Sequence, residues 1–281
     1  MEADLDVAAT LECEPELLPY LPEILQDFDT LGSAPQHVIE LLESTGVGSE
    51  IRTALDLCCG KGATSIALAE HFGMRIDGID AIDAFIDSAK AAAVEAAVET
   101  LCRFAVGDLC EAVTRPASYD LVVYCSIGPI LGGITNTVAR LATPLRDLGR
   151  IVIEDSVLLP DAPVRPGFEA HAGLQETRSR IEAAGVDVVA LRRLDDEATE
   201  KSHDGDNQRI ADRGRALVER RPELAALVQG YMQRQQDECA YLEDWTREII
   251  WLLRKDKRVP VLQDAGSTAG SEKRKHSSGT M

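Results

Sequence analysis

From Thr53 onward the chain alternates short apolar runs with stretches of helical period, and this alternation restricts the fold more than any other feature of its 281 residues. The runs are Ala54 to Cys59, Arg75 to Ile79, Cys102 to Val106, Asp120 to Cys125, Arg150 to Glu154 and Val186 to Leu191. Between them lie Ser65 to His71, Ala84 to Thr100, Thr135 to Arg146 and Leu174 to Ala184. Apolar strands separated by amphipathic helices are what a parallel sheet requires when both of its faces are covered. The pattern predicts an α/β fold, a doubly wound Rossmann-like sheet over residues 49–196.

The flanks read differently. The first 51 residues carry twelve acids (Glu2, Asp4, Asp6, Glu12, Glu14, Glu16, Glu23, Asp27, Asp29, Glu40, Glu43 and Glu50), with no Lys or Arg before Arg52. Leu17, Leu18, Leu21, Ile24 and Leu25, then Val38, Ile39, Leu41 and Leu42, recur at helical spacing and predict N-terminal helices that form a cap, residues 1–48. Residues 197–247 are polar and helical, with Pro222 placed to open a helix and a stripe of Leu217, Leu224, Val228, Tyr231 and Leu242. They read as a helical insert before a final strand at 248–258. The tail, 259–281, is too poor in apolar residues to pack and is expected to be disordered.

The formal charge of −19, from 48 acids against 29 bases, argues against nucleic acid as a partner, because phosphate binding needs a basic stripe. The longest charge-free stretch, Leu121 to Ala139, is broken by Pro129 and by Gly128, Gly132 and Gly133, so no membrane span is expected. With Met-Glu-Ala-Asp-Leu-Asp at its start, lacking a secretion signal, the chain reads as cytoplasmic. The seven cysteines include no C-x-x-C pair, and no metal is expected.

The strongest local signal is Leu55-Asp56-Leu57-Cys58-Cys59-Gly60-Lys61-Gly62, a strand running into a glycine turn and then a helix. Gly60 and Gly62 allow a tight turn against which a ligand can lie. Three acids surround it: Asp56 within the first strand, Asp80 ending the second, and Asp108 ending the third. These are carboxyl ends of neighbouring strands, where open α/β sheets bind ligands, and a carboxylate at the second can accept from both hydroxyls of a ribose. The bland reading of all three acids is helix capping.

In these residues the sequence resembles the class I S-adenosylmethionine-dependent methyltransferases, over roughly residues 34–196. Their motif D-x-G-x-G-x-G is matched at Asp56, Gly60 and Gly62, with Cys58 standing where the first glycine usually is. The resemblance implies an antiparallel last strand and S-adenosyl-L-methionine as cofactor. It implies that Asp56 organises the turn holding the methionine ammonium, that Asp80, followed by Ala81, binds the ribose, and that Asp108 and the Leu109 backbone hold the adenine. Cys125 or Ser126 would lie near the methionine end. A nicotinamide-dependent dehydrogenase is the rival enzyme class, but it expects a third glycine at the helix start, where this chain has Ser65, and gives Asp56 no role. A non-catalytic module that binds the cofactor is the other alternative.

The fourth strand ends Tyr124-Cys125-Ser126-Ile127-Gly128-Pro129, without the N-P-P-[YF] pattern that amino methyltransferases of DNA use to hold a flipped base. A small-molecule acceptor is expected, and no particular oligomeric state is implied. Glu154 and Asp155, ending the fifth strand, are the candidates for a general base or for holding a substrate ammonium, and strand alternation sends only one of them toward the acceptor. His171 and His203 are further candidates. In the insert, which should close over the cofactor edge, Tyr231, Gln235 and Gln236 are the candidates to touch substrate, alongside Ser126.

Overall fold

The computed structural model describes residues 7–194 and 196–256. The tail expected to be disordered lies outside these residues, as do the last two positions of the expected final strand. Seven strands form one mixed sheet in the order β3-β2-β1-β4-β5-β7-β6. They are β1 (Thr53–Leu57), β2 (Arg75–Asp80), β3 (Cys102–Val106), β4 (Tyr119–Cys125), β5 (Leu145–Leu158), β6 (Val186–Arg193) and β7 (Thr246–Lys255). The first five pair in parallel, and β7 inserts antiparallel between β5 and β6. Chain order reverses between β1 and β4, the switch point where ligands of such sheets bind.

The helices that pack on the sheet are α1 (Pro35–Ser44), α2 (Ala63–Phe72), α3 (Asp83–Glu95), α4 (Ile134–Leu141) and α5 (Leu174–Ala183). The insert supplies α6 (Asp196–Arg220) and α7 (Ala225–Trp245), and Pro222 opens the short turn between them. Two expected helices are shorter than their pattern. The helix begun at Asp83 stops at Glu95 because Ala97 takes the left-handed conformation (φ 57°). The expected Thr135–Arg146 helix ends at Leu141, and the chain after Pro144 has already entered β5. The fifth strand is longer than its apolar centre. It runs from Leu145 to Leu158, with a register shift opposite Tyr119 and Leu121 that accommodates the polar residues before Arg150.

Three apolar cores result. One face of the sheet packs on α1, α2 and α3 through Val38, Leu42, Leu68, Ile86, Val123 and Leu252. The opposite face packs on α4 and α5 through Val122, Val138, Ile153, Ile181 and Trp251. The third core joins Leu17, Leu21, Ile24 and Phe28 of the N-terminal segment to Ile210, Leu217, Leu224, Val228 and Tyr231 of the insert, and Phe85 of α3 lies against it. Residues 35–44, grouped with the cap on sequence, are therefore a layer of the central domain. What crosses the carboxyl edge of the sheet is the segment before them, and the insert packs against that segment. Residue Arg213 pairs with Asp27 at 2.5 Å, and Arg220 pairs with Glu23. The acids of the N-terminal segment thus face arginines of the insert.

Candidate cofactor site

The site is built where β1 and β2 end. Strand β1 is buried on both sides, and its one charged residue, Asp56, is 4% exposed. Asp56 Oδ2 accepts from the Ser65 hydroxyl at 2.6 Å, a bond across the first turn of α2. Ser65, which departs from a dinucleotide-binding pattern, is thus the partner that Asp56 requires. Burial, opposed by that hydrogen bond and reinforced by the Asp80 charge, pushes the Asp56 carboxyl up to about 7.

The turn that follows is left-handed at three positions. Cys58, Gly60 and Gly62 have φ of 53°, 52° and 81°. A Cβ on Gly62 would lie 2.7 Å from the Phe104 ring, and one on Gly60 would lie 2.8 Å from Leu31 of the cap, so neither position has room for a side chain. Cys58 adopts the conformation that glycine favours at the cost of about 1–2 kcal/mol. Its thiol is pushed well above its ordinary range by burial and by Asp80 and Asp56, which makes it a packing group and not a nucleophile.

Asp80 holds this turn in place. Its Oδ2 accepts from the Gly60 N–H and its Oδ1 from the Ile82 N–H, each at 2.9 Å. Burial holds its carboxyl above the usual range despite those bonds. Ala81, next in the chain, is exposed. Of the three acids only Asp108 fits the capping reading: it is the N-cap of the short helix Leu109–Ala112 and accepts from the Cys110 N–H at 2.6 Å. The Leu109 side chain is buried in the sheet core, leaving its backbone as the group available to a ligand.

Strand alternation separates Glu154 from Asp155. Glu154 lies on the α1 side, 3% exposed, where its Oε2 accepts from the Ala34 N–H at 3.2 Å. Burial pushes its carboxyl up to about 7, with the Ala34, Cys125 and Ser126 hydrogen bonds working against that rise. Cys125 is buried beside it, and Ser126, in the left-handed conformation, donates its hydroxyl to the Gly32 carbonyl at 2.9 Å. Asp155 lies on the opposite side, where its Oδ1 meets His171 Nε2 at 3.1 Å and the Ser156 N–H at 2.8 Å. With Tyr124, Ile127, Pro129, Ile153 and His171 it lines a cleft of about 470 Å³, open mouth included. Burial opposes charge on His171, and the Asp155 carboxylate outweighs it, raising the imidazole above its ordinary range.

The N-terminal segment lies over the glycine turn. Lys61 Nζ donates to the Leu25 and Gln26 carbonyls at 2.8 and 3.0 Å, and Thr64 bonds Ser33 at 3.2 Å. The insert candidates are not brought to this turn. Tyr231, a candidate to touch substrate, is 2% exposed within the third core, where its stripe packs against the N-terminal segment. Gln235 donates to Glu238 at 3.4 Å, Gln236 is exposed, and His203 pairs with Glu243 at 3.0 Å. Sequence reasoning passed over Ser65 as a partner and Glu238 altogether. The signal for Glu238 was its spacing from Tyr231 and Gln235 on one helix. Among the described residues no group of three or more His, Cys, Asp and Glu side chains could hold a metal ion, and no helix is long and apolar enough to cross a membrane.

Residues 54–145, from β1 to the start of β5, match the family model described as a methyltransferase domain. No curated protein matches the sequence. Among solved structures, the S-adenosylmethionine-dependent methyltransferase from Geobacter sulfurreducens, in complex with S-adenosyl-L-homocysteine, superposes with a TM-score of 0.66 at 20% identity, over 83% of this chain and 96% of that one. The corresponding enzyme from Thiobacillus denitrificans, also with S-adenosyl-L-homocysteine, gives 0.67 at 19%, over 83% and 97%. The (4+2)-cyclase SpnF gives 0.63 at 17%, over 85% and 92%. At these identities the likeness is one of fold. Residues 54–145 thus carry a methyltransferase domain, and the chain has the fold of the S-adenosylmethionine-dependent methyltransferases.

Proposed function

We propose that the chain binds S-adenosylmethionine along the carboxyl edge of β1 to β4 and transfers its methyl group to a small-molecule acceptor held under the cap. The observation that carries this reading is the buried Asp80 carboxylate ending β2 and clamping the Gly60 turn, with Asp56 and Ser65 bonded beneath it. The residues present fit the cofactor: Gly60 and Gly62 leave the turn backbone bare, and each Asp80 oxygen has a second lone pair for a ribose hydroxyl. Ala81, the Asp108 carboxylate and the Leu109 backbone follow on the adenine side. Cys58, Gly60, Gly62 and Cys125 flank the methionine side.

When bound, S-adenosylmethionine supplies a methyl group on an electrophilic sulfonium, so the protein's work is in-line placement and, for an acceptor that must lose a proton, removal of that proton. Glu154 is the group placed for the latter. It stands beside Cys125 and Ser126 at the end of β4, and its carboxyl, pushed up to about 7, is poised for proton exchange at neutral pH. Leu31, Gly32 and Ala34 of the cap lie over the same edge and exclude water from it. Asp155, on the far side with His171, orders the loop after β5.

Calorimetry with S-adenosylhomocysteine tests the cofactor assignment, and preferential binding of NAD would refute it. Methyl gain by mass spectrometry across an acceptor panel tests transfer. Cofactor binding with no methylated product from the panel would favour a non-catalytic module or another reaction on the same fold, as the name of the cyclase SpnF illustrates for that protein.

A further inference from the structure

Lys61 stands between the two glycines of the turn, and the cofactor reading leaves its side chain without a task. Its backbone is not left-handed, unlike that of Cys58, Gly60 and Gly62, so local conformation does not dictate the residue. The side chain leaves the turn for the N-terminal segment, where its ammonium donates to the Leu25 and Gln26 carbonyls at 2.8 and 3.0 Å. Burial works against that charge, and Asp29 and Asp27 of the same segment support it.

Residues 25–34 form a strap across the carboxyl edge. Phe28, 7% exposed in the third core, is its last buried side chain; from Asp29 to Ala34 none is buried. Over that stretch the strap is held by single bonds: Thr64 to the Ser33 hydroxyl at 3.2 Å, the Ser126 hydroxyl to the Gly32 carbonyl at 2.9 Å, and the Ala34 N–H to Glu154 at 3.2 Å. Leu31 and Gly32 bend the strap with φ of 46° and 90°, and the Leu31 side chain rests on Gly60, where a Cβ would lie 2.8 Å from it. A segment held by a few partly exposed polar bonds parts at far lower cost than the sheet beneath it. A ligand that lies against the Gly60 backbone shares that face with Leu31, so the strap has to part before the ligand enters or leaves.

We propose that Lys61 is a positioning residue, the latch that holds residues 25–34 over the glycine turn, and that parting of this strap gates the passage of S-adenosylmethionine and S-adenosylhomocysteine. Its two bonds tie the strap to the very turn that the strap covers, beside the Phe28 anchor, whereas Thr64, Ser126 and Glu154 bond further along. Without the ammonium the strap keeps its anchor and parts more often. The gate rests on the cofactor reading; the latch does not.

Two measurements on the full chain test the two halves. Lys61→Met keeps the length of the side chain and removes its donors, whereas Lys61→Arg keeps both charge and donors. In hydrogen exchange without ligand, the strap amides that bond to Leu25, Thr30 and Glu154 (Phe28, Ser33 and Ala34) should exchange about three- to tenfold faster in Lys61→Met and at the wild-type rate in Lys61→Arg, with β1 and β2 unchanged. Wild-type exchange of the strap in Lys61→Met overturns the latch. So does a rise shared equally by β1 and β2, which would make Lys61 a support of the whole fold.

Rapid filtration with radiolabelled S-adenosylmethionine then gives the association and dissociation rates. A gate acts on both, so both should rise about three- to tenfold in Lys61→Met and return in Lys61→Arg, whereas loss of a contact in a fixed wall acts mainly on dissociation. Faster dissociation with unchanged association, or no change in either, overturns the gate. Thr64→Val, which removes a strap bond and keeps the side-chain shape, carries the same expectations and refutations where Lys61→Met does not fold. Chain that binds S-adenosylmethionine but whose strap ignores the substitution sinks the latch alone. Chain whose strap responds but that takes up no S-adenosylmethionine sinks the cofactor reading, and the gate with it, while the latch stands.

Discussion

Asp80 performs two tasks that a single substitution would confuse, and their magnitudes separate them. Its two oxygens satisfy the Gly60 and Ile82 N–H groups at 2.9 Å in a site where the residue is 8% exposed. In Asp80→Ala both donors lose their partner, at about 1–3 kcal/mol each, offset in part because a carboxylate that burial disfavours is also removed. The expected net loss is roughly 2–4 kcal/mol in unfolding free energy. Asp80→Asn keeps one acceptor oxygen but turns an NH2 group toward the other N–H, so roughly half that loss is expected. The ribose, by contrast, loses its charged acceptor in both variants, and S-adenosylhomocysteine affinity should fall at least about tenfold in each. Urea unfolding and calorimetry on the same preparations give the two quantities. Wild-type affinity in a folded Asp80→Asn variant would remove Asp80 from the cofactor site, and wild-type stability in Asp80→Ala would refute the turn clamp.

Asp56, Glu154 and Glu238 each have a folded-state pKa of about 7, above the ordinary carboxylate value, so each holds its proton more tightly when folded and its contribution to stability falls as pH rises toward 7. His171, also raised, loses its contribution in the same direction as pH rises through its folded value. The melting temperature should therefore climb as pH is lowered from about 8 to about 5.5, and Asp56→Asn or Glu154→Gln should flatten the climb; a melting temperature that falls over this range contradicts the assignment. In the cap, Leu217→Ala should cost roughly 2–4 kcal/mol, because the side chain is 1% exposed in the third core, whereas Arg213→Ala, at an exposed ion pair, should cost less than about 1 kcal/mol by denaturant titration. Chain beginning near Ser49 should bind S-adenosylhomocysteine more weakly by calorimetry, since it lacks the Leu31 to Ala34 cover over the turn; full affinity would make that cover dispensable.

The sequence carried the sheet because buried parallel strands leave an apolar signature that needs no partner to be read. It carried the glycine turn for a similar reason: Gly60, Gly62 and the strand-end acids fall within one stretch or at strand ends. What it hid were pairings fixed only by packing. Ser65 looks like a missing glycine until the turn of α2 brings its hydroxyl onto Asp56. Alternation states that Glu154 and Asp155 face opposite ways, but which of them meets the cap depends on the N-terminal segment crossing β4 and β5 on the α1 side. The full length of β5 was obscured by Arg146, Asp147 and Asp155, polar residues tolerated at its two ends. Glu238 was passed over because a charge within an amphipathic helix reads as solvated surface unless the segments packed against it are known.

The acidity of the N-terminal segment illustrates how a compositional signal can point the wrong way. Taken alone, a run of acids before Arg52 describes a solvated face or a surface that attracts cations. In the fold, Asp27 and Glu23 meet Arg213 and Arg220, and Glu12 and Glu14 meet Arg165 and Arg234, so much of the charge is spent within the cap. The exposed pairs among them, such as Arg213 with Asp27, add little stability. What they do supply is register: two segments separated by the whole central domain are matched acid to arginine along a shared apolar seam. The seam supplies the free energy, through Leu17, Leu21 and Ile24 against Leu217, Leu224 and Val228. The N-terminal segment crosses the glycine turn, and the insert leaves β6 and enters β7. The seam therefore ties the segment that crosses the glycine turn to the helices between β6 and β7.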